Sequence, residues 1–433
     1  MKRQLSPRQS GFTMVELMVG MVIGLVAVVV MFQVFETSEK FRRTTSGGGD
    51  ATQNAALSVF LLERDARMAG YGLNYDPLLG CQARVYYEPT GQQIAFNLQP
   101  VSITNGLLGA PDEVTFVYGG GELAQFPGAM DQVYPTFGGG LANTFVFRDS
   151  RFQFRPGDFI LAGEVPGTGQ PMKDCTGYQV TGLPNPNPGQ QGDRVLAVQG
   201  SYTDDAGAAK TTLYNPPNGQ VPGPYTVNPY PIAVWQRKDR IGGRVFDLGP
   251  VPTVVRYRVL NEQLIVEDLM RPDDPATVVA DGVVQFQVQY GYSQNCPAAA
   301  PALPARYTAC SIAGTATSVA EINHAASPDA WGDAMRMPAG PTVWRRVIAI
   351  RLAVVTRAPE PEKPDPVLGC ATTTQLPLWK SNKPILTSSG TPLDVSISNP
   401  AGWKCFRYRV TEMTVPLRNF MWFPDLGGFT TPN

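Results

Sequence analysis

The sequence predicts an α+β protein: a long amino-terminal α-helix, apolar enough to cross a membrane, followed by a β-rich globular head with long loops. Three observations carry this. Residues 12–35 form an apolar run in which only Thr13, Glu16 and Gln33 have polar side chains. From residue 72 onward, short apolar or alternating segments are separated by Gly, Pro and Asn, the pattern of strands and turns. The 433 residues include 44 Gly and 40 Pro, which favours turns over helical bundles, while 43% are hydrophobic, enough to bury a core.

The elements follow in order. Residues 1–11 are short, polar and basic, with Lys2, Arg3 and Arg8. As a helix, residues 12–35 would measure about 36 Å at 1.5 Å per residue, against a hydrocarbon core of about 30 Å. No Ala-x-Ala pattern follows this run; the chain continues Glu36-Thr37-Ser38-Glu39-Lys40, so the apolar helix is expected to be retained. Basic residues flank both ends, so charge leaves its orientation open. Glu16 sits about 6 Å into the run. A carboxylate at mid-bilayer costs about 2.5–3.5 kcal/mol on insertion scales. Glu16 therefore either snorkels to the headgroups or meets a cation inside a protein assembly.

Residues 36–46 can continue the helix, and Gly47-Gly48-Gly49 is expected to break it. Asp50 then reads as an N-cap for a second stretch. Leu57, Phe60, Leu61 and Met68 would form its apolar face, opposite Glu63, Arg64 and Arg67, with Gly70 as the stop. The expected division is thus 1–11, 12–35, 36–70 and a head at 71–433. Strands are predicted at 114–118, 144–148, 158–162, 194–199, 232–236, 253–260, 263–267, 283–290, 347–356 and 406–412. In 283–290, Val284, Phe286, Val288 and Tyr290 alternate with Gln285, Gln287 and Gln289. Residues 347–356 are apolar on both faces apart from Arg351, as in a covered central strand.

Composition excludes several functions. With 35 basic and 36 acidic residues, no basic field attracts nucleic acid. Cys81, Cys175, Cys296, Cys310, Cys370 and Cys405 lack the spacing of a zinc site. In an exported chain they allow three disulfides, with 296–310 and 370–405 as local pairs and 81–175 left over; buried free thiols are the alternative. His324 is the single histidine and has no nucleophile motif beside it. Asp204-Asp205 and Asp273-Asp274 read as solvated turns, and residues 359–366 as an extended spacer or exposed loop. Neither a metal, a cofactor nor catalysis is expected.

Gly11-Phe12-Thr13-Met14-Val15-Glu16-Leu17 resembles the processing and methylation signal of type IV prepilins and type II secretion pseudopilins. The resemblance implies cleavage between Gly11 and Phe12 by a prepilin peptidase, N-methylation of Phe12, and contact of Glu16 with the amino terminus of a neighbouring subunit. Arg67-Met68-Ala69-Gly70-Tyr71 with Cys81 is similar to the helix-end segment of PilW-type minor pilins. So are Ala280-Asp281-Gly282-Val283 with Gln287-Val288-Gln289-Tyr290-Gly291, the segment from Arg346 to Leu352, and the stretch from Tyr408 to Asn419. Such a protein is implied to sit in the bacterial inner membrane with its head in the periplasm, then in the pilus. It would help to initiate assembly near the tip with other minor pilins, the major pilin and a tip adhesin. A pseudopilin, or a membrane-anchored periplasmic binding protein or enzyme, are the alternatives; the large head and the late matches favour the pilus.

Overall fold

The computed structural model describes residues 11–73, 79–106, 110–120, 128–134, 144–147, 154–164, 174–182, 195–198, 201–204, 206–215, 243–250, 252–292, 330–332, 347–364, 369–375, 377 and 402–421. It has the expected α+β architecture. Helix α1, Met14–Met68, is a single rod of 55 residues, about 83 Å long. It starts at Thr13 and stops where Gly70 takes a left-handed φ of 82°, a conformation that favours glycine.

The expected break at Gly47-Gly48-Gly49 does not occur. The helix runs through all three, and Asp50 lies inside it rather than capping a second one. The reason is tertiary. Gly47 is buried against the head, where a Cβ would lie 3.3 Å from the Cβ of Ala358. Glycine lets the rod touch the head there, and the contact outweighs a propensity cost of about 1 kcal/mol per glycine.

The buried face of the second half also differs from the expected one. Leu57, Phe60 and Met68 are exposed, whereas Ala51, Ala55, Ser58, Leu62, Asp65, Ala66 and Ala69 are buried. Their spacing of three and four residues makes one stripe. Small side chains let the helix backbone approach the sheets closely, so the seated face is the one poorest in bulky residues.

Among the described residues the strands form three sheets and a hairpin. The largest has the order β2-β1-β8-β7-β12-β5-β6-β9, comprising β1 (Gln82–Tyr87), β2 (Gln92–Asn97), β5 (Gly128–Tyr134), β6 (Thr144–Phe147), β7 (Phe159–Glu164), β8 (Cys175–Gln179), β9 (Val195–Ala197) and β12 (Gly243–Asp247). The hairpin pairs β10 (Ser201–Thr203) with β11 (Ala209–Thr211). A five-stranded sheet runs β15-β14-β13-β4-β3, from β3 (Val101–Thr104), β4 (Glu113–Tyr118), β13 (Thr253–Leu260), β14 (Gln263–Asp268) and β15 (Thr277–Asp281). The third runs β17-β16-β18-β19, from β16 (Val283–Tyr292), β17 (Ala330–Gly332), β18 (Val347–Arg357) and β19 (Tyr408–Pro416). A short helix α2, Arg418–Met421, follows. Of the predicted strands, 232–236 lies outside the described residues, as does His324.

One core runs through the helix and the sheets, gathering Leu62, Phe116, Tyr257, Phe286, Leu352 and Leu417 among others. Strand β18 is central, between β16 and β19. The glutamine face of β16 is covered too: Gln285 and Gln289 are buried. Gln289 Oε1 accepts from Arg351 Nε and Nη2 at 2.8 and 2.6 Å. That pairing supplies two of the hydrogen bonds that a buried guanidinium, with five N–H donors, calls for.

Candidate assembly helix and its seat

The amino-terminal half of α1 presents an exposed apolar surface. Met14–Glu39 is long and apolar enough to cross a membrane, and its side chains are exposed all round, among them Leu17, Met21, Leu25 and Phe32. Its 26 residues correspond to about 39 Å.

At its start stands a reciprocal cap. Thr13 is extended, with ψ 150°, and its Oγ1 accepts from the Glu16 backbone N–H at 3.3 Å. Glu16 Oε2 in turn accepts from the Thr13 backbone N–H at 3.0 Å and from the Thr13 hydroxyl at 2.9 Å. This capping box satisfies orphan donors of the first turn, and the carboxylate complements the positive end of the helix. Gly11 and Phe12 precede the helix in non-helical, exposed backbone, so the bond between them lies clear of it. Glu16 thus stands in the first turn of α1, and Gly11 and Phe12 immediately precede its cap, Thr13.

The carboxyl-terminal half is fastened to the head by polar bonds that sequence reasoning missed. Asp65 is 1% exposed. Its Oδ2 accepts from the Tyr257 hydroxyl at 2.5 Å, and its Oδ1 from the Tyr118 hydroxyl at 3.1 Å and Arg64 Nε at 2.8 Å. Burial, followed by the Asp65 charge, pushes Tyr118 up to about 12 and Tyr257 higher still. Asn419 Nδ2 donates to the carbonyls of Arg67 and Met68 at 3.0 and 3.1 Å and reaches that of Ala69 at 3.4 Å. It thereby satisfies acceptors that a helix end leaves open. Thr356 Oγ1 donates to the Ala51 carbonyl at 2.9 Å and Asn54 Nδ2 to that of Asp281 at 3.0 Å.

Two of the expected disulfides are present. Cys81–Cys175 joins β1 to its parallel neighbour β8. Cys370–Cys405 ties the segment 369–375 to the turn before β19. Cys296 and Cys310 lie outside the described residues. Asp204 lies in the turn of the β10–β11 hairpin, where it accepts from the Ala206 and Ala208 backbone N–H groups. Asp273 and Asp274 lie exposed in a turn, as expected, and Asp273 also accepts from the Tyr87 hydroxyl at 2.5 Å. Among the described residues no cluster of three or more His, Cys, Asp or Glu could hold a metal.

Comparison with known families agrees with this layout at both ends. Residues 6–32 match the prokaryotic N-terminal methylation motif, and residues 261–419 match the model described as Type IV Pilus-assembly protein W. The second match starts at the β13–β14 turn and ends on Asn419, the residue that closes α1. No curated protein and no solved structure matches the chain. A methylation motif on an apolar helix carrying a strand-rich head defines a type IV pilin-like protein. Over residues 261–419 the chain is similar to the PilW family of structural pilus proteins, and over residues 6–32 to proteins that carry the methylation motif.

Proposed function

We propose that this minor pilin helps to start pilus assembly and stays at or near the tip of the filament. In this reading residues 1–11 are a leader removed by a prepilin peptidase on the cytoplasmic side of the inner membrane. Phe12 becomes the methylated first residue, residues 12–35 form the assembly helix, and residues 71–433 form a periplasmic head. The observation that carries it is the unbroken apolar helix with one carboxylate near its start and exposed side chains along its length.

Physical chemistry then assigns the roles. An apolar rod exposed on every side is stable only in lipid or among other such rods. Cleavage after Gly11 creates an ammonium at the top of the rod. In a dry bundle an uncompensated charge is costly, so a neighbour's ammonium and Glu16 neutralise one another. The capping box holds Glu16 beside the cut in the meantime. Other minor pilins and the major pilin are the partners this helix fits, and the head is left free for a tip adhesin. The match to the PilW family favours the pilus over a secretion pseudopilus, since the methylation motif resembles the signal of both.

The test is the mature amino terminus. Protein purified from cells is expected to begin with N-methylated Phe12 by mass spectrometry; a chain beginning at Met1 overturns the assignment. Deletion of the gene is expected to abolish or reduce surface pili and twitching while exoprotein secretion continues. The reverse pattern identifies a pseudopilin.

A further inference from the structure

Helix α1 carries two start signals and uses one of them. Thr13, with Glu16 three residues on, caps the helix. Asp50, with Gln53 three residues on, has the same form, an acceptor side chain followed by Gln at the third helical position. Asp50 lies exposed in mid-helix. Its carboxylate has nothing to cap there, because the N–H groups of the next turn are taken by carbonyls four residues back.

Packing accounts for only one of the three glycines before it. Gly47 touches Ala358, whereas a Cβ on Gly48 or Gly49 meets nothing within 4 Å. Glycine is, after proline, the residue that most weakens a helix interior, so two positions give up helix stability for no contact. Thr52 acts in the same direction. Its hydroxyl donates to the Gly48 carbonyl at 2.8 Å, a back-bond that often bends helices.

The triplet also stands where the head's firm hold on the helix begins. Ala51 and Ala55 are buried, Thr356 Oγ1 donates to the Ala51 carbonyl, and Asn54 Nδ2 to that of Asp281. Ala51 is the residue directly after Asp50. Below the triplet, the described side chains from Met14 to Ser46 are exposed. Lys363 pairs there with Glu36, but both are more than half exposed, and such a pair contributes little.

We infer that Gly48-Gly49 is a hinge between the seated helix and the apolar rod, with two states. In the first, the helix is continuous and Gly47 rests on Ala358. In the second, the turn at 47–49 opens and Asp50 becomes the N-cap of a helix that starts at Ala51. Its carboxylate then accepts from the Thr52 or Gln53 N–H, and Gln53 reaches back to the Asp50 N–H. The cap supplies partners for donors that the opening uncovers, and glycine absorbs the change in φ and ψ. The bonds at Ala51 and Asn54 are untouched. The head thus keeps its orientation while the rod leaves lipid for a bundle of other rods. That use rests on the function proposed above; the hinge itself does not.

Double electron–electron resonance on the full chain in detergent micelles tests it, with nitroxide pairs at exposed positions. Arg42 and Arg67 straddle the triplet, 25 residues apart, about 38 Å along a straight helix. Leu25 and Arg42 both lie below it, 17 residues apart, about 26 Å. The lower pair is expected to give one narrow distance. The straddling pair should give a second, shorter population beside the one at about 38 Å. Gly48→Ala combined with Gly49→Ala should remove that population and leave the chain folded, since neither methyl group meets an obstacle. Asp50→Ala should reduce it about fivefold, and Asp50→Asn, which also caps, should keep it. A parent distribution as narrow as that of the double alanine variant refutes the hinge. Equal behaviour of Asp50→Ala and Asp50→Asn refutes the cap. Neither readout needs a pilus, so failure of the pilus reading is told apart from failure of the hinge.

Discussion

The Tyr257 hydroxyl donates to Asp65 Oδ2 at 2.5 Å, joining the middle of the five-stranded sheet to a carboxylate on α1 that is almost wholly buried. Tyr118 and Arg64 complete the group. Tyr257→Phe is expected to cost about 1–3 kcal/mol, because a buried carboxylate oxygen loses its donor. Asp65→Ala should cost more, since it strands two hydroxyls. Urea titration of the full chain in detergent gives both values, and the double variant should be far from additive. Tyr118 has a folded pKa of about 12 against 10 for the free side chain. A group with a raised folded pKa contributes stability that is complete below the unfolded value. That contribution is therefore present below pH 10 and disappears as pH rises from 10 through about 12. Alkaline unfolding should shift to higher pH in Tyr118→Phe relative to its stability at neutrality.

The glycine triplet offers a test of position-dependent cost. Nothing lies within 4 Å of a Cβ placed on Gly48 or Gly49, so Gly48→Ala and Gly49→Ala should each stabilise by about 0.5–1 kcal/mol. Gly47→Leu is expected to destabilise, because Ala358 and Pro359 occupy the space. Thermal melts of the three variants read this directly; equal gains at all three positions would remove the seat at Gly47.

Asn419→Ala is expected to fray the end of α1, with a loss of about 0.5–1.5 kcal/mol per hydrogen bond made well. Amide hydrogen exchange around residues 67–70 is the measurement, and faster exchange confined to that segment is the expected outcome.

Asp247 supplies a pH dependence of the opposite kind to the carboxylates of salt bridges. Burial, then the charge of Asp158, raises it to about 7, although the Gly249 N–H and Arg155 pull the other way. A carboxyl that holds its proton more tightly when folded favours the fold at low pH. Its contribution falls as pH rises from about 4 through about 7. Asp247→Asn keeps the oxygen that accepts from Gly249 at 2.8 Å and removes the charge. The variant should match the parent near pH 4 and exceed it at pH 8 by a few kcal/mol at most, roughly 1.4 per pKa unit of difference. Denaturant midpoints at the two pH values decide it.

Glu16→Ala should leave the head folded, since residue 16 touches only its own first turn, while piliation falls. Normal piliation would take Glu16 out of the mechanism.

The fold was legible where periodicity was strong. Strand β13 was read with its observed bounds, and β4, β14, β16 and β18 nearly so, because long alternating or apolar runs have few other solutions. Strands β1, β2, β8 and β15 were missed: their residues are too polar or too short in run to stand out. The helix face was misread for a physical reason. Bulk favours Leu57, Phe60, Leu61 and Met68 as the buried face, yet this helix seats on alanines and Leu62, and Leu57, Phe60 and Met68 are exposed. Asp65 could not be found from sequence, because its hydroxyl partners lie 53 and 192 residues away. The amino-terminal motif was legible, since its residues stand within a few positions of one another and residues 6–32 match the methylation motif. The fastening of that helix was not, since Asn419 is separated from the carbonyls it caps by about 350 residues.

The bond between Cys370 and Cys405 also sets a clock. Thiols stay reduced in the cytosol and oxidise outside it, so in the proposed reading the closure of residues 369–375 onto the turn before β19 waits until the head has crossed the membrane. A finished subunit would then carry a covalent record of its export.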